Sequence, residues 1–377
     1  MEKKIVHVVI GGNAGDEGKG LVTAKIANAA KNKKYRVLNV LTNGGAQRGH
    51  AVETDSGFYV NKHFGSASCL NVSSYFSSTF ILDPIQFRAE YQLNKHDGVQ
   101  IYKNKNCRWV TPFDIMANLH DVSVTQIQNS CGMGIWNTIK RYKNSKFPTL
   151  DEFVEMPLDE QISLLKNIAI NFYSEELQDV IKDETFFHGI IGHFIEDCKF
   201  MYLHSNTVNG ISDLGCYDFI IFENGQGLSI GDTGVDDPYK TPTFTGLKGV
   251  DFEDLNIEDL TVHYVSRTYE TRHGYDPYFR SMLDPKHLSS YINEDRNNHY
   301  NATQGRFMYD TLNVVDLNHR ILKDLNDVPA NFKDKLNVEL DLTHCDEIGP
   351  EGIAVSAVGR TQCISSPNVY KGDEFKL

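Results

Sequence analysis

The sequence predicts an α/β protein in which helices flank a mostly parallel central sheet. Three observations predict this class: short runs rich in Val and Ile, glycine-rich loops directly after two of these runs, and a helical pattern between them. Strands that are buried on both faces of a parallel sheet have such continuous apolar runs. In open α/β sheets, ligands collect at the carboxyl ends of the strands, so we expect the functional residues there.

The predicted elements begin with a strand at Lys4–Ile10, which ends in the loop Gly11–Gly20. A helical pattern follows this loop and leads to a second strand at Arg36–Leu41. That strand ends in another glycine-rich loop, Asn43–His50. Two strands in succession that end in glycine and polar residues indicate that both loops lie at one edge of the sheet.

The rest of the chain continues the pattern without a clear linker. Further strands are expected at Tyr217–Phe222 and Val338–Leu342, helices at 150–200, and loops at 232–245 and 284–305. We therefore expect a single domain over 1–377, with loop and helical insertions around 100–200 and 230–305.

Composition excludes several classes of protein. The net charge of −13 speaks against general nucleic-acid binding, although local fields still capture small anions. No apolar run approaches the roughly 20 residues of a membrane span, so no membrane association is expected. The seven cysteines are scattered and lack CxxC pairs, which argues against a disulfide framework and against a zinc site. These features favour a cytoplasmic protein.

The first glycine-rich loop is expected to hold phosphate. It departs from a Walker A loop, because Asn13 takes the first glycine position and Gly20 replaces the Ser or Thr after Lys19. Even so, glycine amides, a lysine and a helix N-terminus together form a P-loop-like nucleotide site. The adjacent Asp16 and Glu17 would repel phosphate unless a carboxylate holds Mg²⁺ or removes a proton.

GDEGKG after a hydrophobic strand, followed about thirty residues later by GGxxxGH, resembles the adenylosuccinate synthetase family. The resemblance implies that Asp16 is the catalytic base and His50 the catalytic acid. Weaker matches follow in the family's order along most of the chain, namely SCGMGI at 130–135, ENGQG at 223–227, TRHG at 271–274, ATQGR at 302–306 and THCD at 343–346.

The resemblance also implies the remaining site residues. Gln226 would orient the purine, and the residues implied in nucleotide and phosphate binding are Asn13, Glu17, Gly18, Lys19, Gly20, Gln47, Ser130, Cys131, Arg141, Thr241 and His273. Those implied for aspartate are Thr303, Gly305 and Arg306, and those for the GTP base are His344, Asp346 and Gly359. Asp16 and the backbone of Gly49 would bind Mg²⁺.

The implied reaction joins L-aspartate to C6 of a purine nucleoside monophosphate. Asp16 would remove the N1 proton, so that O6 attacks the γ-phosphate of GTP while His50 stabilises the transferring group. The amine of aspartate would then displace the 6-phosphate. GTP is favoured over ATP, because the Asp346 carboxylate can accept from both N1–H and the 2-amino group of guanine.

Several departures from the family concern the substrate. Ala14 replaces a bulky Trp, Cys131 a Thr, Met133 an Arg, and Met308 a second Arg of the aspartate loop. These features resemble the compact archaeal type and its phage-encoded relatives. The phage-encoded relatives take dGMP rather than IMP. Space beside Ala14 fits a 2-amino group, so dGMP is favoured, with IMP as the alternative. An inactive nucleotide-binding homologue is a further alternative.

The resemblance also bears on assembly and location. The family forms homodimers in which an arginine crosses the interface, and Arg141 is the candidate by position. The host cytoplasm would be the location if a phage encodes the chain.

Overall fold

The computed structural model describes residues 2–54, 57–93, 99–125, 130–231, 240–252, 255–274, 276, 279, 284–293, 295–300, 302–347 and 360–363. Its strands are β1 (Lys4–Gly11), β2 (Val37–Leu41), β3 (His50–Thr54), β4 (Gly57–Asn61), β5 (Ser73–Phe76), β6 (Ile81–Leu82), β7 (Ile101–Asn104), β8 (Arg108–Trp109), β9 (Asn206–Val208), β10 (Phe219–Gly227), β11 (Ile257–Arg267), β12 (Tyr269–His273), β13 (Phe307–Thr311), β14 (Leu336–Thr343) and β15 (Arg360–Cys363).

The helices of the described residues are α1 (Lys19–Asn32), α2 (Pro84–Leu93), α3 (Pro112–Thr125), α4 (Ile135–Asn144), α5 (Leu150–Glu155), α6 (Leu158–Tyr173), α7 (Gln178–Lys182), α8 (Glu184–Leu203) and α9 (Val314–Asp324). None of them has both the length and the apolar character that a membrane span requires.

Nine strands form the central sheet, in the order β15-β14-β11-β1-β10-β2-β5-β7-β9. All eight pairings between these neighbours are parallel. The predicted class, an α/β fold with a mostly parallel sheet, is therefore confirmed. Two antiparallel strand pairs, β3–β4 and β12–β13, lie outside this sheet.

Strand β1 is central because apolar side chains cover both of its faces. Val6 and Val8 are fully buried in a cluster with Leu317 of α9. Val9 is buried in a second cluster with Leu21 of α1. Successive side chains of a strand point to opposite faces, so the apolar run of β1 packs helices on both sides of the sheet.

The helices α3–α8 lie between β8 and β9 in the chain. Their apolar residues form a third cluster with the end of β2, in which Trp109, Phe153 and Phe194 are almost completely buried. The helical region expected at 150–200 is thus confirmed as α5 to α8. That one domain spans the whole chain remains a prediction.

Strand β10 is longer than expected, because it continues through Gly225 to Gly227 instead of ending at Phe222. The last residue of this extension, Gly227, approaches the first glycine-rich loop closely. A Cβ atom at Gly227 would lie 2.1 Å from the carbonyl oxygen of Asn13, so only glycine fits there. The close approach brings the ENGQG segment into contact with the loop that follows β1.

Candidate active site

A cleft of about 930 Å³ lies at the carboxyl ends of the central strands. Its walls include the loops after β1 and β2, the end of β10, the end of β11 and the residue after β14. This is the edge at which the sequence predicts ligand binding.

Most of the residues predicted for the site line this cleft. They are Asp16, Gly18, Lys19, Gly20, Gln47, Gly49, His50, Ser130, Cys131, Gln226, Thr241, His273, Thr303 and His344. Six others, Asn13, Glu17, Arg141, Gly305, Arg306 and Asp346, are not part of its lining. Gly359 lies outside the described residues.

The Glu17 side chain forms hydrogen bonds within the first glycine-rich loop. Its carboxylate accepts hydrogen bonds from the backbone amides of Asn13 at 3.0 Å and Gly15 at 2.8 Å, and it pairs with Lys19 Nζ at 2.7 Å. The Glu17 and Lys19 side chains are both 2% exposed. The Glu17 carboxylate thus occupies the loop amides in this structure, and its contact with nucleotide stays a prediction.

Asn13 is likewise held by the protein. Its side-chain amide donates to Ser266 Oγ at 2.8 Å, and its side-chain oxygen accepts from Arg320 Nη2 at 2.5 Å. Asn13 is 4% exposed, and its contact with nucleotide likewise stays a prediction.

Asp16 turns the opposite way, toward the cleft. Its backbone has φ 62°, in the left-handed region, and its carbonyl oxygen accepts from Arg267 Nε at 2.7 Å. The side chain keeps 26% exposure, and Oδ2 lies 3.8 Å from Nε2 of His273. The loop therefore presents one carboxylate to the cleft while it buries its neighbour.

His50 is fixed by Glu223, a residue of the ENGQG segment to which the sequence assigned no role. His50 Nδ1 is 2.5 Å from Oε1 of Glu223. The same oxygen accepts from the hydroxyl of Ser66, and Oε2 accepts from the Ser66 amide. Burial would raise the pKa of Glu223, but the hydrogen bond and charge of His50, the charge of Arg48 and the hydrogen bond from Ser66 together outweigh it and lower that pKa to about 2. The ionised Glu223 orients the His50 ring and leaves Nε2 as the free ring nitrogen.

Gly20 allows the His50 loop to approach helix α1. A Cβ atom at Gly20 would lie 3.0 Å from the Cβ atom of His50 and 3.0 Å from the carbonyl oxygen of Ala51. The two glycine-rich loops, from β1 and β2, therefore pack directly against each other.

Gln226 also has a left-handed backbone, with φ 61°. Its Oε1 accepts from Thr243 Oγ1 at 3.3 Å, and that hydroxyl is 3.2 Å from Oγ1 of Thr241. The two threonines thus connect the loop after 240 to the glutamine, so its side-chain amide group is held at the cleft wall.

The loop at 130–134 forms another wall. Ser130 Oγ donates to Asn118 Oδ1 at 2.9 Å and accepts from the amide of Gly132 at 3.2 Å. Burial raises the pKa of the Cys131 thiol to about 11, so this thiol is neutral at pH 7. The position offers a weak hydrogen-bond donor where the family has a threonine.

Residues 295–300 cover a further side of the cleft. Asp295 pairs with Arg267 Nη2 at 2.6 Å, and Asp295 Oδ1 accepts from the amides of Asn297 and Asn298. Asn297 Nδ2 in turn donates to the carbonyl oxygen of Gly49 at 3.0 Å. These contacts connect the strand β11 end to the loop that carries His50.

The predicted aspartate loop lies partly outside the cleft. Thr303 contributes to the lining, whereas Arg306 is exposed and does not. Gly305 has φ 80°, and no atom of the described residues lies within 4 Å of the position that its Cβ would take. In this structure, therefore, the guanidinium of Arg306 does not reach the site.

The predicted guanine site is divided. His344 is buried at 2% exposure and lines the cleft, and burial holds its pKa well below its usual value, so the ring is neutral. Asp346 is exposed and outside the lining, although the sequence predicts that it reads the guanine edge. The structure thus gives no direct support for that contact.

Arg141 is bound by residues of its own chain. Its Nε and Nη2 atoms donate to the two carboxylate oxygens of Asp114 at 3.0 and 2.9 Å, and Nη2 also donates to the carbonyl oxygen of Trp109. The Arg141 and Asp114 side chains are both 0% exposed, and the Tyr173 hydroxyl donates to Asp114. The role of Arg141 across an interface stays a prediction, whereas in this structure its guanidinium stabilises the packing of α4 on α3.

Replacing Arg141 with Met is expected to lower the free energy of unfolding by about 3–5 kcal/mol, because it leaves the Asp114 carboxylate buried without its cation. Urea denaturation would measure the loss. Lys143→Met, on the exposed side of the same helix, is the matched control and should change stability by less than about 0.5 kcal/mol. Unchanged stability in Arg141→Met would contradict this structural role.

The cleft is cationic although the chain is acidic. Its lining contains eight Lys or Arg residues and two Asp residues, against a net charge of −13 for the whole chain. Four of these cations pair with carboxylates, namely Lys19 with Glu17, Arg267 with Asp295, Arg272 with Asp276 and Arg296 with Glu53. The cations that the sequence analysis missed are Arg48, Lys62, Lys140, Lys240, Arg267, Arg272 and Arg296. Only Arg48 and Arg272 lie within motifs, so no motif pointed to the others. Such a field favours anionic ligands with several phosphate or carboxylate groups.

Neither a protein-family model nor a curated protein sequence matches this chain. Solved structures do. Fully ligated adenylosuccinate synthetase from Plasmodium falciparum superposes with a TM-score of 0.67 at 15% identity, covering 92% of this chain and 78% of that one. Cyanophage S-2L succinoaminodeoxyadenylate synthetase (PurZ), bound to dGMP and dATP as an energy donor, superposes with a TM-score of 0.61 at 14% identity. The match covers 92% of this chain and 86% of that one. The chain therefore has the fold of adenylosuccinate synthetase.

Proposed function

We propose that the protein is a carbon–nitrogen ligase that joins L-aspartate to C6 of a purine nucleoside monophosphate, with GTP as phosphoryl donor. The favoured acceptor is dGMP, which would give N6-succino-2-amino-dAMP. One observation carries the proposal: Asp16 and His50, from loops after different strands, line one cationic cleft. The fold shared with two synthetases, one fully ligated and one bound to dGMP and dATP, supports it.

In the first step, the Asp16 carboxylate takes the proton from N1 of the purine. The electron pair moves to O6, which forms a bond to the γ-phosphorus of GTP as the bond to the β-phosphate oxygen breaks and GDP leaves. His50, oriented by Glu223, donates a hydrogen bond from Nε2 to the transferring phosphoryl group. Burial lowers the pKa of His50 in the free protein, although the Glu223 carboxylate opposes this shift. The negative charge of the bound phosphates, together with that of Glu223, would favour the imidazolium in the complex.

In the second step, the amine of aspartate attacks C6, and the 6-phosphate leaves with the C6–O6 bonding electrons. The amine loses a proton as the new C–N bond forms. Gln226, held by Thr243, would orient the purine edge, and Thr303 would donate to a carboxylate of aspartate. Gly305 and Arg306 remain predicted contacts, which would require movement of their loop toward the cleft.

Mg²⁺ fits the oxygen atoms that the cleft presents. Asp16 and Gly49 both line it. The Asp16 carboxylate and the Gly49 carbonyl, which also accepts from Asn297 Nδ2, are hard oxygen donors of the kind that Mg²⁺ prefers. These two residues would hold the ion beside the triphosphate. When bound, Mg²⁺ supplies positive charge that offsets the charge of the phosphates.

Ala14 supports dGMP as the acceptor, because its small side chain lines the cleft beside Asp16 and leaves room for a purine 2-amino group. The similar cyanophage protein was bound to dGMP, which points the same way. IMP remains the alternative acceptor. That protein was bound to dATP as donor, so GTP is to be compared with adenine nucleotides directly.

Steady-state phosphate release with dGMP or IMP, with GTP, ATP or dATP, and with or without aspartate tests the proposal. We expect aspartate-dependent release that is fastest with dGMP and GTP. Faster turnover of IMP would assign the ordinary adenylosuccinate reaction, and a preference for dATP would remove the assignment of GTP. Tight nucleotide binding without aspartate-dependent release in any combination would favour an inactive homologue over an enzyme.

A further inference from the structure

A cluster of metal-ligating side chains lies within the sheet, outside the cleft. His263 on β11 faces Glu339 and Asp341 on the neighbouring strand β14. His263 Nδ1 is 2.9 Å from Asp341 Oδ2 and 3.6 Å from Glu339 Oε2. One ligand atom from each residue lies within 4.8 Å of the other two. None of the three lines the cleft.

We infer that His263, Glu339 and Asp341 form a zinc site that connects strands β11 and β14. Zinc with bonds of about 2.0–2.1 Å holds tetrahedral ligand atoms about 3.4 Å apart, and the two distances from His263 lie on either side of that value. One imidazole and two carboxylates leave a fourth position for water. The inference does not rest on the proposed ligase function.

His7 on strand β1 supplies the outer hydrogen bond that a zinc-binding histidine usually has. Its Nδ1 lies 2.8 Å from Nε2 of His263, on the side of the ring away from the two carboxylates. The His7 ring is itself held between His263 at 5.1 Å and Phe219 at 4.7 Å. His263 would thus donate from Nε2–H to His7 and present Nδ1 to the metal.

The donor set favours zinc over the Mg²⁺ proposed for the cleft. A nitrogen ligand together with carboxylates suits a borderline ion, whereas Mg²⁺ prefers oxygen ligands and retains its water. Access is provided by Glu339, whose side chain is 17% exposed, while those of Asp341 and His263 are 3% and 6% exposed. The sequence argument against zinc concerned cysteine ligands, and this cluster contains no cysteine.

Metal analysis of the full-length protein tests the inference. The chain would be stripped with chelator, dialysed against one equivalent of Zn²⁺ or against excess Mg²⁺, and analysed by plasma mass spectrometry. We expect about one zinc per wild-type chain and no retained magnesium at this site. Asp16→Asn should still bind zinc, which separates this site from the cleft. Zinc binding that Asp16→Asn abolishes would overturn the inference.

Variants of the ligands complete the test. Asp341→Asn and Glu339→Gln should lose bound zinc, and Asp259→Asn, an exposed carboxylate on strand β11, should retain it. Zinc at about a hundredfold excess over Kd should raise the Tm of the wild type by about 3 °C and leave that of Asp341→Asn unchanged. No zinc uptake by the wild type, or equal uptake by the ligand variants, would refute the site, and the wild-type result stands even if a variant does not fold.

Discussion

Replacing Asp16 with Asn is expected to reduce aspartate-dependent phosphate release by about 10³-fold or more, while nucleotide affinity stays within about tenfold. The amide keeps the size of the side chain but cannot accept the N1 proton. Asn tolerates the left-handed backbone at this position, with φ 62°, and the carbonyl contact with Arg267 does not involve the side chain. Release of phosphate under saturating substrates measures kcat, and calorimetric titration measures affinity.

Glu258→Gln is the control for the loss of one negative charge, because Glu258 is exposed and pairs with Lys3 away from the cleft. Its turnover should equal that of the wild type. If Asp16→Asn retained wild-type turnover, Asp16 would not be the base. If instead it lost nucleotide binding altogether, its main contribution would be to ligand binding, and the assignment as base would lose its support.

The fold could be predicted because its signals are local. The apolar runs at Lys4–Ile10 and Arg36–Leu41 need both faces covered, and glycines follow each of them directly. The same reasoning led to the cleft, since parallel strands end at one edge of the sheet. The prediction that the loops of Asp16 and His50 lie at one edge of the sheet therefore needed no knowledge of long-range contacts, and both residues line the cleft.

The contacts between side chains could not be predicted, because they depend on which strands are neighbours. Glu223 reaches His50 because β10 lies between β1 and β2, an order that no local pattern specifies. Asp16 and Glu17 are adjacent in sequence, yet one faces the cleft and the other bonds to the loop amides. The buried ion pair of Arg141 could not be predicted either, because its partner, Asp114, is on another helix.

Replacing Glu223 with Gln is expected to lower kcat by about 10²–10⁴-fold with little change in nucleotide affinity. The ionised carboxylate accepts from Nδ1 of His50, whereas a glutamine amide would place a donor there or bind less strongly. The imidazolium of His50 would then lose its stabilising charge, and its ring would lose the acceptor that holds it in place. Phosphate release as a function of pH measures both effects.

The pH profile separates a positioning role from a merely structural one. His50 acts in its protonated form, so activity falls as pH rises through the pKa of His50 in the substrate complex. Removing the Glu223 charge lowers that pKa, so the fall should begin at lower pH in Glu223→Gln. Ser66→Ala is the matched control, because it removes a hydroxyl that donates to Glu223 but keeps the pair with His50. Its alkaline limb should stay near that of the wild type. An unshifted limb in Glu223→Gln, with a Tm well below that of the wild type, would mean that Glu223 serves folding alone.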